Sequence, residues 1–406
     1  MNTCLLLRNV LDAALAATDG RALVADDLRR RDAWLGSIVA IGKAAASMLE
    51  GALDVMLDAH ALLITKDGHV SPALHHRAGV EIIEAGHPLP DARSLDAGRR
   101  LLAFIAAAPA DRPLLFLLSG GASSLVEVLP EGVALEDWQW VNAWLLGSGL
   151  DIHAMNALRK RLSCIKGGRL LQHLGERPAV VLMISDVPGD DPASIGSGLL
   201  SPSETPALFE DLPDGLRSLL SAAPPTPALD DSRWASVEAR ILAGNATALD
   251  GAVRAALCLG VPVYRHDDLL RGDAAETGAR LAHELIGAPP GVHLWGGETT
   301  VNLPEQPGRG GRNQHLALSA ALALEGQAGI TLLAVGTDGS DGPTQDAGAC
   351  VDGGTVAAMR AAGIAPEDAL RRADSGSALA AVDALIRTEP TGTNVMDVVL
   401  AIKIMH

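Results

Sequence analysis

The stretch "GSIVAIGKAAASMLE", residues 36–50, contains an apolar run, a glycine–lysine pair and an alanine-rich segment, in that order. The run from Ile38 to Ile41 predicts a short buried strand, and the segment after Lys43 predicts a helix that begins almost at once. A strand followed directly by a helix is the repeating unit of α/β proteins. The stretch therefore predicts an α/β fold and places Lys43 at the turn between the two elements.

The same alternation recurs along the chain. Further Val-, Ile- and Leu-rich runs are "PLLFLLS" (113–119), "AVVLMIS" (179–185) and "ITLLAVG" (330–336), with helical patterns between them. This pattern predicts an α/β architecture with a largely parallel sheet. Ligands of such sheets bind beyond the carboxyl ends of the strands, where glycine-rich turns lead into helices. We therefore look for functional residues just after each run.

The length of the chain indicates two domains. With 406 residues, it is too long for one ordinary hydrophobic core. The segment 202–232 carries six prolines, which continue neither helices nor central strands, so we expect a domain connection there. We place the N-terminal domain at residues 1–226 and the C-terminal domain at residues 227–406.

The composition argues against several classes of partner. The formal net charge is −17 and no long Lys/Arg run occurs, so we expect neither nucleic acid nor a membrane as partner. No run of eighteen apolar residues occurs, and residues 1–17 predict an amphipathic helix rather than a signal peptide. The four cysteines are far apart and form no CxxC pair, so we expect no zinc site, no disulfide framework and a cytoplasmic location.

Lys43 and the segment "SGGASS" (119–124) are the first candidate anion-binding residues. A helix N-terminus favours negative charge, so a lysine there indicates a bound phosphate or a catalytic role; a surface lysine is the alternative. The amides and hydroxyls of "SGGASS" suit a phosphate, although a tight strand-to-helix turn has a similar sequence. The predicted phosphate contacts in this segment are Ser119, Gly120, Gly121, Ala122, Ser123 and Ser124.

Aspartates follow the run at 179–185, in "SDVPGDDPASIGSG". Carboxylates at the ligand-binding edge of a sheet suit magnesium, which takes few protein ligands and completes its coordination with water and phosphate oxygens. We predict Asp186 and Asp190 as metal ligands. Aspartates also cap helices and turns, and that role is expected for at least one of the acidic residues, which include Asp191.

The second half of the chain repeats this arrangement. Glu298 follows two glycines in "HLWGGETTVNL", and Asp338 follows an apolar run in "AVGTDGSDGPTQDAGACVDGG", which we interpret as a loop facing phosphate and metal. The stretch "PGRGGRNQH" (307–315) places Arg309 and Arg312 among glycines, which predicts an anion cradle or, alternatively, a solvated loop. His87, in a glycine–proline turn, is a candidate substrate contact. No GxGxxG, HExxH or Cys/His cluster occurs.

Taken together, the motifs closely resemble those of the MOFRL-type glycerate kinases, or glycerate 2-kinases, whose relatives are often labelled hydroxypyruvate reductases. The resemblance rests on "IGKAAASM", "AGHPLPDARSLDAG", "LSGGASSLVEVLPEGV", "MNALRKRLSCIKGGRL", "ISDVPGDDPASIGSG", "GGETTVNLPEQPGRGGRNQHLAL", "GTDGSDGPTQDAGACVDGGT" and "TGTNVMDVVLAI". It implies a Rossmann-like N-terminal domain, a smaller α/β C-terminal domain and an active site in the cleft between them. It also implies magnesium-dependent transfer of a phosphoryl group from ATP to D-glycerate, giving 2-phosphoglycerate.

The family's central lysine and arginine correspond to Lys43 and Arg312 here. Arg312 is expected to bind either the glycerate carboxylate or the transferred phosphoryl group. Beyond "SGGASS", we expect cofactor contacts from Lys166, Gly167, Gly168, Thr337, Asp338 and Gly339, and substrate contacts from His87, Glu298 and Asn313. The expected partner is a small-molecule substrate, and a homodimer is a candidate assembly.

The sequence departs from the family pattern at Met396, where Asn is usual, at His315, where Glu is usual, and at Leu199, where Pro is usual. The segment "RRADSGSALAAVDAL" also replaces a polar-aromatic stretch. These departures bear on substrate preference more than on reaction class. Three alternatives stay open: an NAD(P)H-dependent hydroxypyruvate reductase, a binding protein without catalysis, and a kinase for another hydroxy acid.

Overall fold

Helices and strands alternate along the chain in a computed structural model that describes residues 2–31, 36–148, 150, 152–204 and 212–404. The chain divides into two compact units. We call Gly20–Leu242 the parallel-sheet unit, and Met1–Asp19 together with Ala243–His406 the mixed-sheet unit. Each unit contains its own six-stranded sheet and its own hydrophobic core.

The strands of the parallel-sheet unit are β1 Ile38–Ile41, β2 Ala61–Lys66, β3 Val80–Ala85, β4 Leu114–Leu118, β5 Ala179–Ile184 and β6 Val237–Ala243. Its helices are α2 Gly20–Arg29, α3 Ala45–Leu53, α4 Pro72–His75, α5 Ala92–Ala107, α6 Ala122–Leu125, α7 Leu135–Gly147, α8 Ile152–Arg161, α9 Leu171–Leu174 and α10 Asp214–Leu220. Two 3-10 turns cover Ile195–Ser197 and Ser232–Ser236.

The strand order β3-β2-β1-β4-β5-β6 is that of a Rossmann-like sheet, as expected. β1 pairs in parallel with both β2 and β4, so the order reverses at β1. β1, β4 and β5 are buried along their whole length, which explains why they are continuous apolar runs rather than alternating ones. In such sheets the crevice beyond the carboxyl ends of β1 and β4 is the place where ligands bind.

The strands of the mixed-sheet unit are β7 Val263–Arg265, β8 Gly291–Gly297, β9 Ile330–Gly336, β10 Gly348–Asp352, β11 Leu385–Ile386 and β12 Asp397–Lys403. Its helices are α1 Thr3–Ala17, α11 Asn245–Leu257, α12 Ala274–Gly287, α13 Arg312–Ala323, α14 Thr355–Ala361, α15 Pro366–Arg371 and α16 Ser375–Ala380. The strand order is β11-β10-β9-β12-β8-β7. The predicted strand "ITLLAVG" is β9, but it pairs with antiparallel neighbours, β10 and β12, instead of parallel ones.

The units divide at Leu242, not near residue 226, and the N-terminal helix belongs to the C-terminal unit. The chain remains in the parallel-sheet unit after the prolines because β6 extends that sheet beside β5. Residues 212–232 of the proline-rich segment lie in the same unit: the Arg169 Nε group donates to the Pro224 carbonyl at 2.6 Å. Helix α1 packs on α11, where a side chain at Gly251 would collide with Ala17. Residues 212–232 therefore belong to the parallel-sheet unit and include α10, in which Leu216 and Leu220 are buried.

A disulfide joins Cys4 in α1 to Cys350 in β10, although the spacing of the four cysteines indicated no disulfide framework. The two residues are 346 positions apart, and their Cα atoms come within 6.3 Å only because α1 folds onto the mixed sheet. Cys164 and Cys258 are free thiols. In the part of the chain that the structure describes, no helix is both long and apolar enough to cross a membrane.

Candidate active site

The turns after β1 and β4 are hydrogen-bonded to each other at the point where the strand order reverses. The Lys43 N–H donates to the Gly120 carbonyl at 2.9 Å, and the Ala44 N–H donates to Ser119 Oγ at 3.0 Å. Gly42 has φ +130°, and a Cβ atom on it would lie 2.2 Å from Ser119 Oγ. Glycine is therefore required at this position, and Lys43 is held beside the "SGGASS" loop.

The structure brings together three of the predicted site elements. Gly121 has φ +86°, and a Cβ atom there would lie 3.0 Å from Lys43 Cγ and 3.2 Å from the His87 ring. Lys43 follows β1, His87 follows β3, and Gly121 follows β4. These residues therefore meet at one edge of the sheet, where Lys43 and Gly121 were expected from the strand ends. Their roles in binding or catalysis remain to be tested.

A cavity of 170 Å³ opens next to this loop. The predicted residues His87, Gly121, Ser123, Ser124 and Lys166 line it, together with residues that the sequence did not single out: Trp138, Asn142, Arg159 and Ser197. Ser123 Oγ and Ser197 Oγ are 2.6 Å apart, which holds the rim of the cavity in place. Ser119, by contrast, is fully buried, and its hydroxyl oxygen accepts the hydrogen bond from the Ala44 N–H that joins the two turns.

Lys166 is paired with Glu127 inside the protein. Their charged atoms are 2.6 Å apart, and the two side chains are only 3% and 1% exposed. The ammonium also donates to the Ser123 carbonyl at 2.7 Å, and Ser163 Oγ donates to the other oxygen of Glu127 at 2.5 Å. Lys166 thus holds the "SGGASS" loop through Ser123. Glu127 was missed from the sequence, although an acidic residue within the apolar stretch "LVEVL" is a recognisable sign of a buried pair.

The glycines after Lys166 form an internal turn. The Gly167 N–H donates to the Ser197 carbonyl at 3.0 Å, and the Gly168 N–H donates to the Gly198 carbonyl at 2.7 Å. A side chain on Gly168 would meet the Ser201 carbonyl and the Trp234 ring. Both amides already have acceptors in this structure, so the expected cofactor contacts at Gly167 and Gly168 remain predictions.

The aspartates after β5 have different surroundings. Asp191 accepts hydrogen bonds from the Ala193 N–H at 3.1 Å and the Ser194 hydroxyl at 2.7 Å, so it is the capping residue of this loop. Asp190 adopts φ +53°, and Asp186 is partly exposed immediately after the strand end. Within the described ranges, no three acidic, histidine or cysteine side chains converge as a metal-binding group. Asp186 and Asp190 remain predictions as metal ligands.

Arg312 is the first residue of α13 and is held by two carboxylates. Its Nε and Nη2 atoms lie 2.6 and 2.8 Å from the two oxygens of Asp397, and its Nη1 atom lies 2.8 Å from Glu298. Burial lowers the pKa of Arg312, but the charge and hydrogen bonds of Asp397, with the charge of Glu298, outweigh burial and raise the pKa overall. The guanidinium is therefore permanently charged and fixed in orientation. Asp397 was missed because it is the first residue of an ordinary apolar strand, 85 residues away.

Asp341 caps the N-terminus of α13. Its carboxylate accepts hydrogen bonds from the N–H groups of Asn313 at 3.0 Å and Gln314 at 2.8 Å. Burial raises the pKa of Asp341 to about 7, although these two N–H groups act in the opposite direction. Asn313 is buried and its side-chain amide also points to Asp341, so its expected substrate contact remains a prediction.

The loop after β9 is tied to the chain before β12. The Thr337 hydroxyl donates to the Met396 carbonyl at 2.7 Å, and Asp338 accepts from the Ser340 N–H and hydroxyl at 3.0 Å each. Gly339 has φ +84°. Met396 also adopts a left-handed conformation, with φ +67°, which asparagine tolerates better than methionine. Thr337 hydrogen-bonds to the backbone carbonyl of Met396. The hydrogen bond therefore does not depend on whether the side chain at this position is methionine or asparagine.

Two family models match the chain. A domain of unknown function, DUF4147, matches residues 6–212, and the MOFRL family matches residues 291–397.

Proteins of named activity match over most of the chain. The D-glycerate 2-kinase of Thermotoga maritima is 36% identical over 385 residues, which is 90% of each chain. The glycerate 2-kinase of Pyrococcus horikoshii is 34% identical, over 90% of this chain and 86% of that one. An Agrobacterium vitis protein provisionally named a hydroxypyruvate reductase is 38% identical, over 97% of this chain and 92% of its own length. The crystal structure of Thermotoga maritima glycerate kinase superposes with a TM-score of 0.85 and 33% identity, covering 98% of this chain and 99% of that one.

Proposed function

The chain belongs to the family of glycerate kinases that combine a DUF4147 domain with a MOFRL domain, and from this premise we propose that it phosphorylates D-glycerate to 2-phosphoglycerate at the expense of ATP. Beyond the family, the observation that supports the proposal most is the meeting of Lys43, His87 and the "SGGASS" loop at the point where the Rossmann-like strand order reverses. A lysine beside glycine amides and serine hydroxyls is suited to phosphoryl groups.

In the proposed reaction, the 2-hydroxyl oxygen of glycerate forms a bond to the γ-phosphorus of ATP. The bond from that phosphorus to its bridging oxygen breaks, ADP leaves, and the hydroxyl proton is released. Phosphoryl transfer needs in-line positioning and neutralisation of the phosphoryl oxygens more than covalent help from the protein. We assign the neutralisation to Lys43, and the contacts to phosphate to Gly121, Ser123 and Ser124 of the "SGGASS" loop.

Magnesium fits the donors after β5. Asp186 and Asp190 are carboxylates at the ligand-binding edge of the parallel sheet, and magnesium takes few protein ligands and keeps water and phosphate ligands. Bound there, the ion would supply positive charge that offsets the charge of the phosphate groups. The two aspartates would hold it, and Asp191 would keep their loop in shape.

Arg312 is the second proposed catalytic residue. Two carboxylates, Asp397 and Glu298, orient its guanidinium, and about a third of its side chain remains exposed. We propose that this fixed cation stabilises charge that develops during phosphoryl transfer. Because Asp397 and Glu298 hold Arg312 in place, we do not expect its side chain to move far in order to bind the carboxylate of a small acid. The cofactor contacts proposed at Thr337, Asp338 and Gly339, the cytoplasmic location and the homodimer remain predictions.

The test measures ADP release with ATP, magnesium and D-glycerate. Lys43→Met removes a charge beside the phosphoryl groups and is expected to lower kcat by about 100- to 1,000-fold, and Arg312→Gln is expected to act in the same direction. Arg99→Gln is the matched control, because that arginine is 76% exposed and, among the described residues, pairs only with Asp96 across a helix turn. Oxidation of NADH by hydroxypyruvate, without ADP release from D-glycerate, would contradict the proposal and favour the reductase.

A further inference from the structure

Arg159 is a partly buried cation without a carboxylate partner among the residues that the structure describes. It lies in the last turn of α8 and lines the 170 Å³ cavity. Its Nε group donates to Asn142 Oδ1 at 2.9 Å and its Nη1 group to Asn156 Oδ1 at 3.2 Å. Both acceptors are neutral amides. Its Nη2 group has no acceptor within the described ranges, so one edge of the guanidinium fork remains open.

The local structure keeps Arg159 in this orientation. The Asn142 side-chain nitrogen donates to the Trp138 carbonyl at 2.9 Å, which turns Asn142 Oδ1 toward Arg159. Burial lowers the pKa of Arg159, because the charged guanidinium loses water without gaining a counter-ion. Arg31, which is also largely buried at 12% exposure, instead pairs with Asp27 and Glu238. In a chain with 49 acidic residues, the lack of such a partner for Arg159 indicates that a ligand supplies the anion.

The other cation in the wall of the cavity is already neutralised. The Lys166 ammonium is bound by Glu127 and by the Ser123 carbonyl. Arg159 therefore provides the uncompensated charge on this wall. Arginine matches a carboxylate through two parallel hydrogen bonds, and such a pair is stronger in a partly dry cavity than in water.

The cavity is large enough for a small acid. Its volume is 170 Å³, and a three-carbon hydroxy acid fits such a volume. Gly121, which contacts Lys43, also lines the cavity, so an acid bound there lies next to the proposed site of phosphoryl transfer.

We propose that Arg159 binds the carboxylate of the hydroxy-acid substrate and makes the site selective for acids over neutral polyols. The proposal rests on the proposed kinase function for the identity of the substrate. It gives Arg159, rather than Arg312, the role of carboxylate recognition.

The test combines steady-state kinetics with a modification experiment on the unaltered protein. Arg159→Gln is expected to raise the KM for D-glycerate by about 10- to 100-fold and to leave the KM for ATP unchanged, because only the acid loses a charge-assisted pair. Turnover of glycerol, which has no carboxylate, should change little. Arg159→Lys, which keeps the charge but not the fork, should recover part of the loss. Arg99→Gln is again the control.

The modification experiment does not depend on a variant that folds or on turnover. Phenylglyoxal, which reacts with arginine, is applied to the wild-type protein, and labelling of Arg159 is followed by peptide mass spectrometry. We expect D-glycerate to protect Arg159 and ATP alone not to protect it. Protection by ATP alone would overturn the proposal in favour of a phosphate site, and so would an absence of protection by D-glycerate.

The outcomes separate the two proposals. Normal turnover of D-glycerate with an unchanged KM in Arg159→Gln would overturn the role of Arg159 and leave the kinase function standing. Protection of Arg159 by D-glycerate without ADP release would support the acid site and contradict the kinase function.

Discussion

Replacing Lys166 by methionine tests whether the buried pair with Glu127 holds the cavity wall together. The substitution keeps most of the side-chain volume and removes the charge. Glu127 would then remain 1% exposed, with hydrogen bonds from Ser163 Oγ and the Val128 N–H but no cation. Breaking a buried ion pair in this way costs about 3–5 kcal/mol, because one charge is left uncompensated in a poorly solvated place.

That cost is a large share of the stability of an ordinary domain, which is about 5–15 kcal/mol. With a denaturant dependence of about 2–3 kcal/mol per molar urea, the unfolding midpoint of the parallel-sheet unit should fall by about 1–2 M. The assay is urea unfolding followed by tryptophan fluorescence and circular dichroism. Trp138 is a local probe, because its ring centre lies 5.8 Å from the Lys166 ammonium.

The double variant Glu127→Gln/Lys166→Met is the matched control. It removes both charges, and we expect its stability to return to within about 2 kcal/mol of the wild type, because buried pairs as a whole add little net stability. A loss below about 1 kcal/mol in Lys166→Met alone, or a double variant as unstable as the sum of the single ones, would refute the reasoning.

Two further predictions concern single residues. Burial raises the pKa of Asp341 to about 7 from the ordinary 3.8, so the fold is favoured at low pH and loses roughly 4 kcal/mol as pH rises from about 4 to about 7. Asp341→Asn should abolish this pH dependence in urea unfolding, and an unchanged slope would contradict the assignment. Gly121→Ala should lower stability by about 1–2 kcal/mol because of its positive φ, and should also reduce kcat by displacing Lys43 and His87. Unaltered kinetics in this variant would exclude a tight contact between Gly121 and the catalytic lysine.

The positions of the strand ends could be predicted because they follow from local pattern. The runs that became β1, β4, β5 and β9 are apolar and end at glycine or polar residues, so each strand and the turn after it can be recognised without tertiary information. Parallel strands then bring their carboxyl ends to one edge. This is why Lys43 and Gly121 were both expected at this edge; the strand before His87 was not predicted, and the structure places His87 beside them.

The pairings between distant residues could not be predicted in the same way. Asp397 holds Arg312 from 85 positions away, and Glu127 holds Lys166 from 39 positions away. Nothing in the sequence around either acidic residue identifies the basic residue with which it pairs. The proposed role of Arg159 could not be predicted from the sequence either, because "RKR" at the end of a helix is typical of a solvated basic face. The compact units divide at Leu242 instead of near residue 226 for a related reason: prolines indicate a loop, but the pairing of β6 decides in which unit the chain remains.

The most direct test of the central claim is phosphorus NMR of the product formed from ATP, magnesium and D-glycerate. We expect one new phosphomonoester, 2-phosphoglycerate, in an amount equal to the ADP released, and its loss in Lys43→Met. Formation of 3-phosphoglycerate, or release of ADP with free phosphate and no phosphorylated acid, would contradict the claim.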